Sequence, residues 1–363
     1  MSENKKFNIA IIGAGIGAAH LDGYCHWPDA YQVIMVCDKD IERAKGITKN
    51  LPDCQIVAEI DEVLNNPDVD LVDVCLPPHL HYPVMMAALD AGKHVVCEKP
   101  FVGSLEETDA FIAKAKSVGK KVFPVFQYRY GLGYQRFLHL KNQGLLGKAF
   151  VGSFETHWDR RAPYYAIDWR GTWVGENGGT IVSHATHIHD LATQMLGEVQ
   201  KVSAFLDVRV NPIETEDCAA ISMQMASGAL ATSSITLGNV GDMSRIRVCF
   251  EHVTIESGLQ PYTIGAGDWS FIARDEALQA KIDEELAKIQ HTPERFNGLM
   301  GDVYKALINA PDASPPSVAD ARHSMELITA IYHADRTGST ATLPIDADHP
   351  LYTGWKKVGI AND

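Results

Sequence analysis

Over its first 127 residues the chain alternates short, nearly continuous apolar runs with segments of helical period. The runs are Phe7–Ile12, Gln32–Cys37, Gln55–Val57, Leu71–Leu76, His94–Cys97 and Lys121–Phe126. Between them, Tyr82–Leu89 and Leu105–Val118 place apolar residues at helical spacing and stop near Gly92 and Gly119. Runs without polar alternation mark strands covered on both faces, and the helices between them read as crossovers of a parallel sheet. Six such strands predict an α/β dinucleotide-binding domain over residues 1–127.

From residue 128 the texture changes. A helical segment, Gly133–Gln143, precedes runs that alternate with period two: Ala149–Thr156, Lys201–Val210, Ala219–Met225, Leu230–Leu237 and Arg245–Phe250. Alternation predicts an antiparallel sheet with one covered face. Arg274–Ile289 and Ala319–Ala334 read as helices, so residues 128–363 form a second α/β domain. With no repeat or Gly/Ser linker, the two domains are expected to join tightly around an active cleft.

Composition narrows the function. The 363 residues carry 46% hydrophobic side chains, ample for two cores, and a formal net charge of -14. That charge argues against nucleic-acid binding, which needs cations to replace phosphate counterions, and gives no support for docking on anionic lipid. No apolar run is long enough to span a bilayer and no leader-like segment opens the chain, so a cytoplasmic location is expected. The seven cysteines are scattered without a C-x-x-C pair and read as reduced thiols.

The chemistry begins at the turn after the first run. Gly13 permits a tight turn, Gly15 lets the backbone approach a pyrophosphate, and Ala18 stands where a third small residue lets helix and sheet pack; Ile16 and Gly17 complete the cradle. Twenty positions on, Asp38 closes the second strand, placed to accept from the adenosine ribose hydroxyls and to repel a 2′-phosphate. NAD is therefore expected, with Lys39 leaving NADP possible. In the second domain, His157-Trp-Asp-Arg160-Arg161, Tyr164-Tyr165 and Trp169-Arg170-Gly-Thr-Trp173 interleave aromatic faces with planar donors. Such faces suit sugars, and the arginines suit a carboxylate or phosphate equally; alternatively Trp158, Trp169 and Trp173 pack a seam between the domains while Arg160 and Arg161 face solvent. His184, His187 and His189 with Asp190 and His157 raise the thought of a metal, but helical spacing brings only 184 and 187 to one face, so no metal is expected. Asp190 reads as a structural acid, and Arg129 as a further candidate for the cleft.

Gly13-x-Gly15-x-x-Ala18, Pro77-Pro78-x-x-His81, Ala91-Gly-Lys-His-Val-Val-Cys-Glu-Lys-Pro100, Gly178-Gly179 with His187, and the closing Pro316–Leu343-Pro344 stretch together resemble one family. It is the glucose–fructose oxidoreductase / inositol dehydrogenase / rhizopine-catabolism (Gfo/Idh/MocA) family. The resemblance implies a Rossmann domain followed by an α/β domain on a large, mostly antiparallel open sheet. It also implies hydride transfer between a nicotinamide cofactor and a secondary hydroxyl of a sugar, glycoside or polyol, in a homo-oligomer, dimer or tetramer. By the same resemblance Lys99 is the catalytic lysine, held by Glu98 and followed by a possible cis Pro100. His187 is the general base on a strand-to-helix turn, and Pro77 and His81 border the nicotinamide. Many relatives carry Asp where this chain has Ser183, four residues before His187 on the same helix face. The substrate set is then Arg160, Tyr164, Trp169, Arg170, Ser183, His184 and His187. Two other readings share these motifs: an enzyme that retains NAD and labilises a glycosidic bond by transient oxidation, and a nucleotide-binding sensor without catalysis.

Overall fold

The computed structural model describes residues 5–356. The chain forms two compact units: one from the chain up to Gly103, Glu107–Gln127 and Phe296–Arg322, the other from Ser104–Glu106, Tyr128–Arg295 and the chain from His323. No helix among the described residues is long and apolar enough to cross a membrane.

In the first unit β1 (Phe7–Ile12), α1 (Gly17–Cys25), β2 (Tyr31–Cys37), α2 (Ile41–Thr48), β3 (Gln55–Val57), α3 (Ile60–Leu64), β4 (Leu71–Val74), α4 (His81–Asp90), β5 (His94–Cys97), α5 (Leu105–Val118) and β6 (Val122–Pro124) follow one another. The strands make one sheet in the order β3-β2-β1-β4-β5-β6, every pair parallel. Ile9, Ile11, Val36, Leu71, Val72, Val95 and Val96 are all fully buried, as strands covered on both faces require. Each such side chain contributes roughly 1.5–3 kcal/mol by leaving water. Strand order reverses between β1 and β4, so the loops leaving these two strands diverge and open a crevice at their carboxyl ends. Gly13, Cys75 and Pro77 lie at that switch point.

The second unit carries α6 (Leu132–Asn142), β7 (Ala149–Asp159), α7 (Trp173–Glu176), α8 (Thr180–Ser183), α9 (Thr186–Leu196), β8 (Val199–Asp207), β9 (Cys218–Met225), β10 (Leu230–Thr236), β11 (Gly238–Phe250), β12 (Val253–Glu256), β13 (Ser270–Ala273) and α10 (Glu276–Ala287). The chain then returns to the first unit in α11 (Arg295–Leu307), continues through α12 (Val318–Thr337) and closes with β14 (Ala341–Thr342). The eight-stranded sheet runs β13-β12-β11-β7-β10-β9-β8-β14. Only β7 and β10 pair in parallel; the other neighbours are antiparallel. Burial along β9 alternates strictly, and α9 packs on β7 to cover the inner face. α11 is fastened to the first unit by Trp27 Nε1 donating to the Asn297 carbonyl (2.7 Å) and by the Tyr31 hydroxyl donating to that of Met300 (2.7 Å).

Candidate active site

Each glycine of the turn after β1 has its own steric setting. Gly13 has φ +104°, a left-handed conformation, and a methyl added there would lie 2.3 Å from the Cys75 carbonyl oxygen. A methyl on Gly15 would meet nothing within 4 Å, so this side of the turn is open where a pyrophosphate approaches. A methyl on Gly17 would come 2.8 Å from Ile11 Cγ2. The close helix–sheet packing assigned to Ala18 therefore falls on Gly17, and Ala18 is only half-buried. Ile16 caps α1 and is 45% exposed, and neither its amide nor that of Gly15 donates to any other described residue. This is a cradle for an anion at a helix start.

Asp38 braces the same turn. One carboxylate oxygen accepts from the Ala14 amide (2.7 Å), the other from the Asp40 amide (2.8 Å). Arg43 of α2 stands 3.7 Å from it, and Lys39 is exposed next door. Arg43 escaped the sequence reading, although a basic residue one turn into the helix after a strand-end acid was a visible signal.

β5 delivers Glu98, Lys99 and Pro100 at its carboxyl end, with the Lys99–Pro100 peptide cis. Lys99 is half-buried. The Glu98 carboxylate accepts from the Lys99 amide (3.0 Å) and pairs with His20 Nε2 (3.0 Å); His20 Nδ1 in turn lies 2.8 Å from Asp73. Burial opposes charge on His20, but Asp73 and Cys75 outweigh it and lift the imidazole well above its usual pKa. His81 is fully buried, its nitrogens 2.7 Å from the Pro100 carbonyl oxygen and 2.8 Å from that of Leu76. Fully buried, its ring lies between the end of β4 and the Lys99 turn; when neutral it donates to one of the two carbonyls, and neither nitrogen is open to a nicotinamide. Burial also holds its pKa below the usual value. Pro77, half-buried, opens the 3-10 turn Pro78–Leu80 that leads into α4.

In the second unit Gly178 and Gly179 lie between α7 and α8, two short helices, so the expected strand-to-helix turn is not formed. A methyl on Gly179 would stand 2.0 Å from the Glu216 carbonyl oxygen, so this position admits only glycine. α8 ends at Ser183 and α9 starts at Thr186, so Ser183 and His187 do not share one helix face. The Ser183 hydroxyl donates to the Gly179 carbonyl (2.8 Å), and its oxygen is 2.7 Å from His184 Nδ1. With its one proton spent, Ser183 accepts from that nitrogen and sets the tautomer. His187, in the first turn of α9, stacks on Tyr128 with centroids 4.4 Å apart and planes 23° apart. One turn on, Asp190 accepts two bonds from Arg129 (2.8 and 2.5 Å), both side chains nearly buried. Arg129 is therefore committed to structure. His189 turns to Ser233 (2.9 Å), with burial lowering its pKa to about 4, and His157 turns to Ser234 (3.0 Å). These two histidines thus serve strand β10 rather than a shared metal.

Arg160, Tyr164, Trp169 and Arg170 do come together. Arg160 lies over the rings of Trp158, Tyr164 and Tyr262 at 5.1, 5.4 and 5.5 Å, donates to the Tyr262 hydroxyl (2.6 Å) and pairs with Asp242 (3.2 Å). Arg170 lies over Tyr164 (4.0 Å) and Trp169 (4.6 Å) and faces Glu176 (3.7 Å). Trp158 and Tyr164 each approach His184, at 5.3 and 5.6 Å. Each guanidinium thus has its own carboxylate, and the cluster is neutral in sum.

Glu216 was missed altogether. It accepts from the Ile181 amide (3.1 Å) and from the Tyr332 hydroxyl (3.0 Å), and its backbone carbonyl accepts from the Thr180 amide (2.8 Å). Burial pushes its pKa up to about 7. It is the clamp that seats α8. A partner 116 residues away leaves no local signature.

Comparison with known proteins agrees with this architecture. The Oxidoreductase family, NAD-binding Rossmann fold, matches residues 7–126, and the GFO/IDH/MocA C-terminal domain matches residues 134–256. The chain is 28% identical over 210 residues to scyllo-inositol 2-dehydrogenase (NADP(+)) IolW of Bacillus subtilis, covering 58% of this chain and 57% of that protein. It is 28% identical over 191 residues to D-glucoside 3-dehydrogenase of Escherichia coli, covering 52% and 54%. Both matches span little more than half of the relative's length. Among solved structures, WlbA dehydrogenase from Bordetella pertussis, in complex with NADH and UDP-GlcNAcA, superposes with TM-score 0.80 at 22% identity, covering 94% of this chain and all of that one. The chain belongs to the GFO/IDH/MocA family and is an NAD-binding oxidoreductase.

Proposed function

We propose that the protein is a dehydrogenase acting on a secondary hydroxyl of a neutral sugar, glycoside or polyol, with NAD preferred over NADP. The observation that carries this reading is the Lys99 turn, gripped by Glu98 and His81 in the unit that bears the dinucleotide cradle. Bound NAD supplies the hydride acceptor. Lys99 hydrogen-bonds the substrate hydroxyl and stabilises its developing alkoxide. His187 takes the hydroxyl proton, its ring plane fixed by Tyr128. The two residues belong to different units, so the reading requires both units to serve one substrate.

Neutrality of the substrate follows from the charge-compensated arginines. An anionic sugar has to displace Asp242 or Glu176, or be bound beside them, whereas a neutral ring stacks on Trp158, Tyr164 or Trp169 without disturbing either pair. The named activities of the inositol and glucoside relatives support the same class. On the outer face of the large sheet, Val151, Phe205, Leu230 and Ile272 are exposed, which supports self-association as a dimer or tetramer. The test is a panel of monosaccharides, inositols, glycosides and uronates with NAD and NADP, following absorbance of the reduced nicotinamide. Turnover confined to neutral polyols is expected; no turnover with any of them, with NAD bound, overturns the reading.

A further inference from the structure

Beneath the dinucleotide turn lies a chain of buried polar groups drawn from three elements. Asp73 sits in β4 amid Leu71, Val72 and Val74, His20 in α1, and Glu98 at the end of β5. Asp73 and His20 are 0% exposed, and Glu98 is 6% exposed. A lone carboxylate in an apolar strand costs several kcal/mol, so a partner must hold it there. The partner is His20, whose two nitrogens lie 2.8 Å from Asp73 and 3.0 Å from Glu98. Each carboxylate can only accept, so both ring nitrogens must donate, and the imidazole carries its second proton.

Cys75 Sγ is also close, 3.4 Å from His20 Nδ1, and the trio of Asp73, His20 and Cys75 has the residue types of a metal site. The spacing decides against one. Two ligand atoms about 2.1 Å from a tetrahedral zinc stand roughly 3.4 Å apart, whereas Nδ1 and the Asp73 oxygen are at hydrogen-bond separation. A proton fills this position. The other groups near the cluster are Tyr24 of α1 and Tyr31 of β2, toward Asp73; the Cys97 thiol of β5, beside Asp73 and Glu98; His81 of α4, toward Glu98; and the Phe296 ring, 4.4 Å from His20; none of them replaces that proton.

We propose that His20 is a positioning residue for the Lys99 turn: anchored by Asp73, it fixes Glu98, and Glu98 fixes the Lys99 amide. Because His20 rides on the helix that opens at the dinucleotide turn, the same brace links that helix to the lysine. The proposal rests on the reading that Lys99 takes part in hydride transfer, but its geometry stands within the first unit alone.

The test uses the full chain with His20→Gln, whose two N–H donors sit on one nitrogen and do not span both carboxylates as the ring does, and Asp73→Asn, which keeps shape and lets the imidazole lose its extra proton. In the wild type, the Lys99 amide resonance lies downfield, as a bond to a carboxylate demands, and the His20 nitrogens stay doubly protonated at pH 8. In His20→Gln, the amide resonance moves upfield. In Asp73→Asn, the His20 nitrogens show the singly protonated form at pH 8. With a turned-over substrate, kcat falls about 10- to 100-fold in His20→Gln, the scale of a misplaced reacting group, while the NAD dissociation constant changes less than about threefold. An unmoved Lys99 amide in both variants overturns the proposal, as does a fall in kcat matched by an equal loss of NAD affinity. Should His20→Gln not fold, Asp73→Asn decides by the same amide. Should no substrate turn over in the wild type, the proposed function fails while the spectra still judge His20.

Discussion

The two units each set a candidate catalytic side chain over a buried ion pair, and they do it with different cations. In the first, Asp73 and Glu98 share the imidazole of His20 below Lys99. In the second, Asp190 is paired with the guanidinium of Arg129, one turn beyond His187. The guanidinium keeps its charge whatever surrounds it, so the second support is permanent. The imidazole holds its charge against burial chiefly because Asp73 demands it, so removing that carboxylate changes the charge as well as the contact. The lysine turn thus rests on a support that can be tuned, and the histidine helix on one that can only be made or broken.

The largest effect should come from breaking the permanent pair. Arg129→Leu takes away the cation that gives the buried Asp190 carboxylate two hydrogen bonds, and a loss of about 3–5 kcal/mol is expected in urea unfolding. A loss below about 1 kcal/mol would show that water reaches Asp190 and that the contrast is weaker than drawn.

A tunable group also sits in the second unit, at Glu216. Its folded pKa of about 7 lies above the ordinary value of 4.5, so its favourable contribution is complete below about pH 4.5 and is lost as pH rises through 7. The loss is up to about 3 kcal/mol. Glu216→Gln should remove this part of the pH dependence, read as a smaller drop in urea midpoint between pH 5 and pH 8. An unchanged drop would place the titration elsewhere.

Smaller effects separate the glycines of the dinucleotide turn. Gly15→Ala meets open space, so stability should change by less than about 0.5 kcal/mol while NAD affinity falls about tenfold, or about 1.4 kcal/mol. Gly17→Ala meets Ile11 and should cost about 1–3 kcal/mol of stability. The reverse ranking in calorimetry would reassign both. Smallest is Asp38→Ala: with Arg43 and Lys39 left in place, relative affinity for NADP over NAD should rise a few-fold, and an unchanged ratio would remove Asp38 from cofactor choice.

Much of the first unit was legible because a doubly covered strand leaves an uninterrupted apolar run, and all six runs became strands. The glycine turn and the Glu98-Lys99-Pro100 segment were legible for the same reason, being sited at strand ends. Asp73 was not: one acid inside Leu71–Leu76 reads as a blemish until His20 is seen beside it, 53 residues away in sequence. In the second unit the period-two runs located β7 to β11, but β12 and β13, four residues each, were too short to alternate visibly. The break between α8 and α9 was hidden because Thr180–Leu196 has no proline or glycine to interrupt it. Arg129 and Glu216 found partners 61 and 116 residues distant, a separation no periodicity reports.

The claim on which the functional reading turns is that Lys99 and His187 act on one hydroxyl. A double-mutant cycle on kcat with Lys99→Ala, His187→Ala and the pair measures it directly. If the two groups share one transition state, each single variant should lose at least about 10²-fold and the double variant should be barely slower than the worse single, as for groups that act as a unit. Fully multiplicative losses, or normal turnover in either single variant, would contradict it.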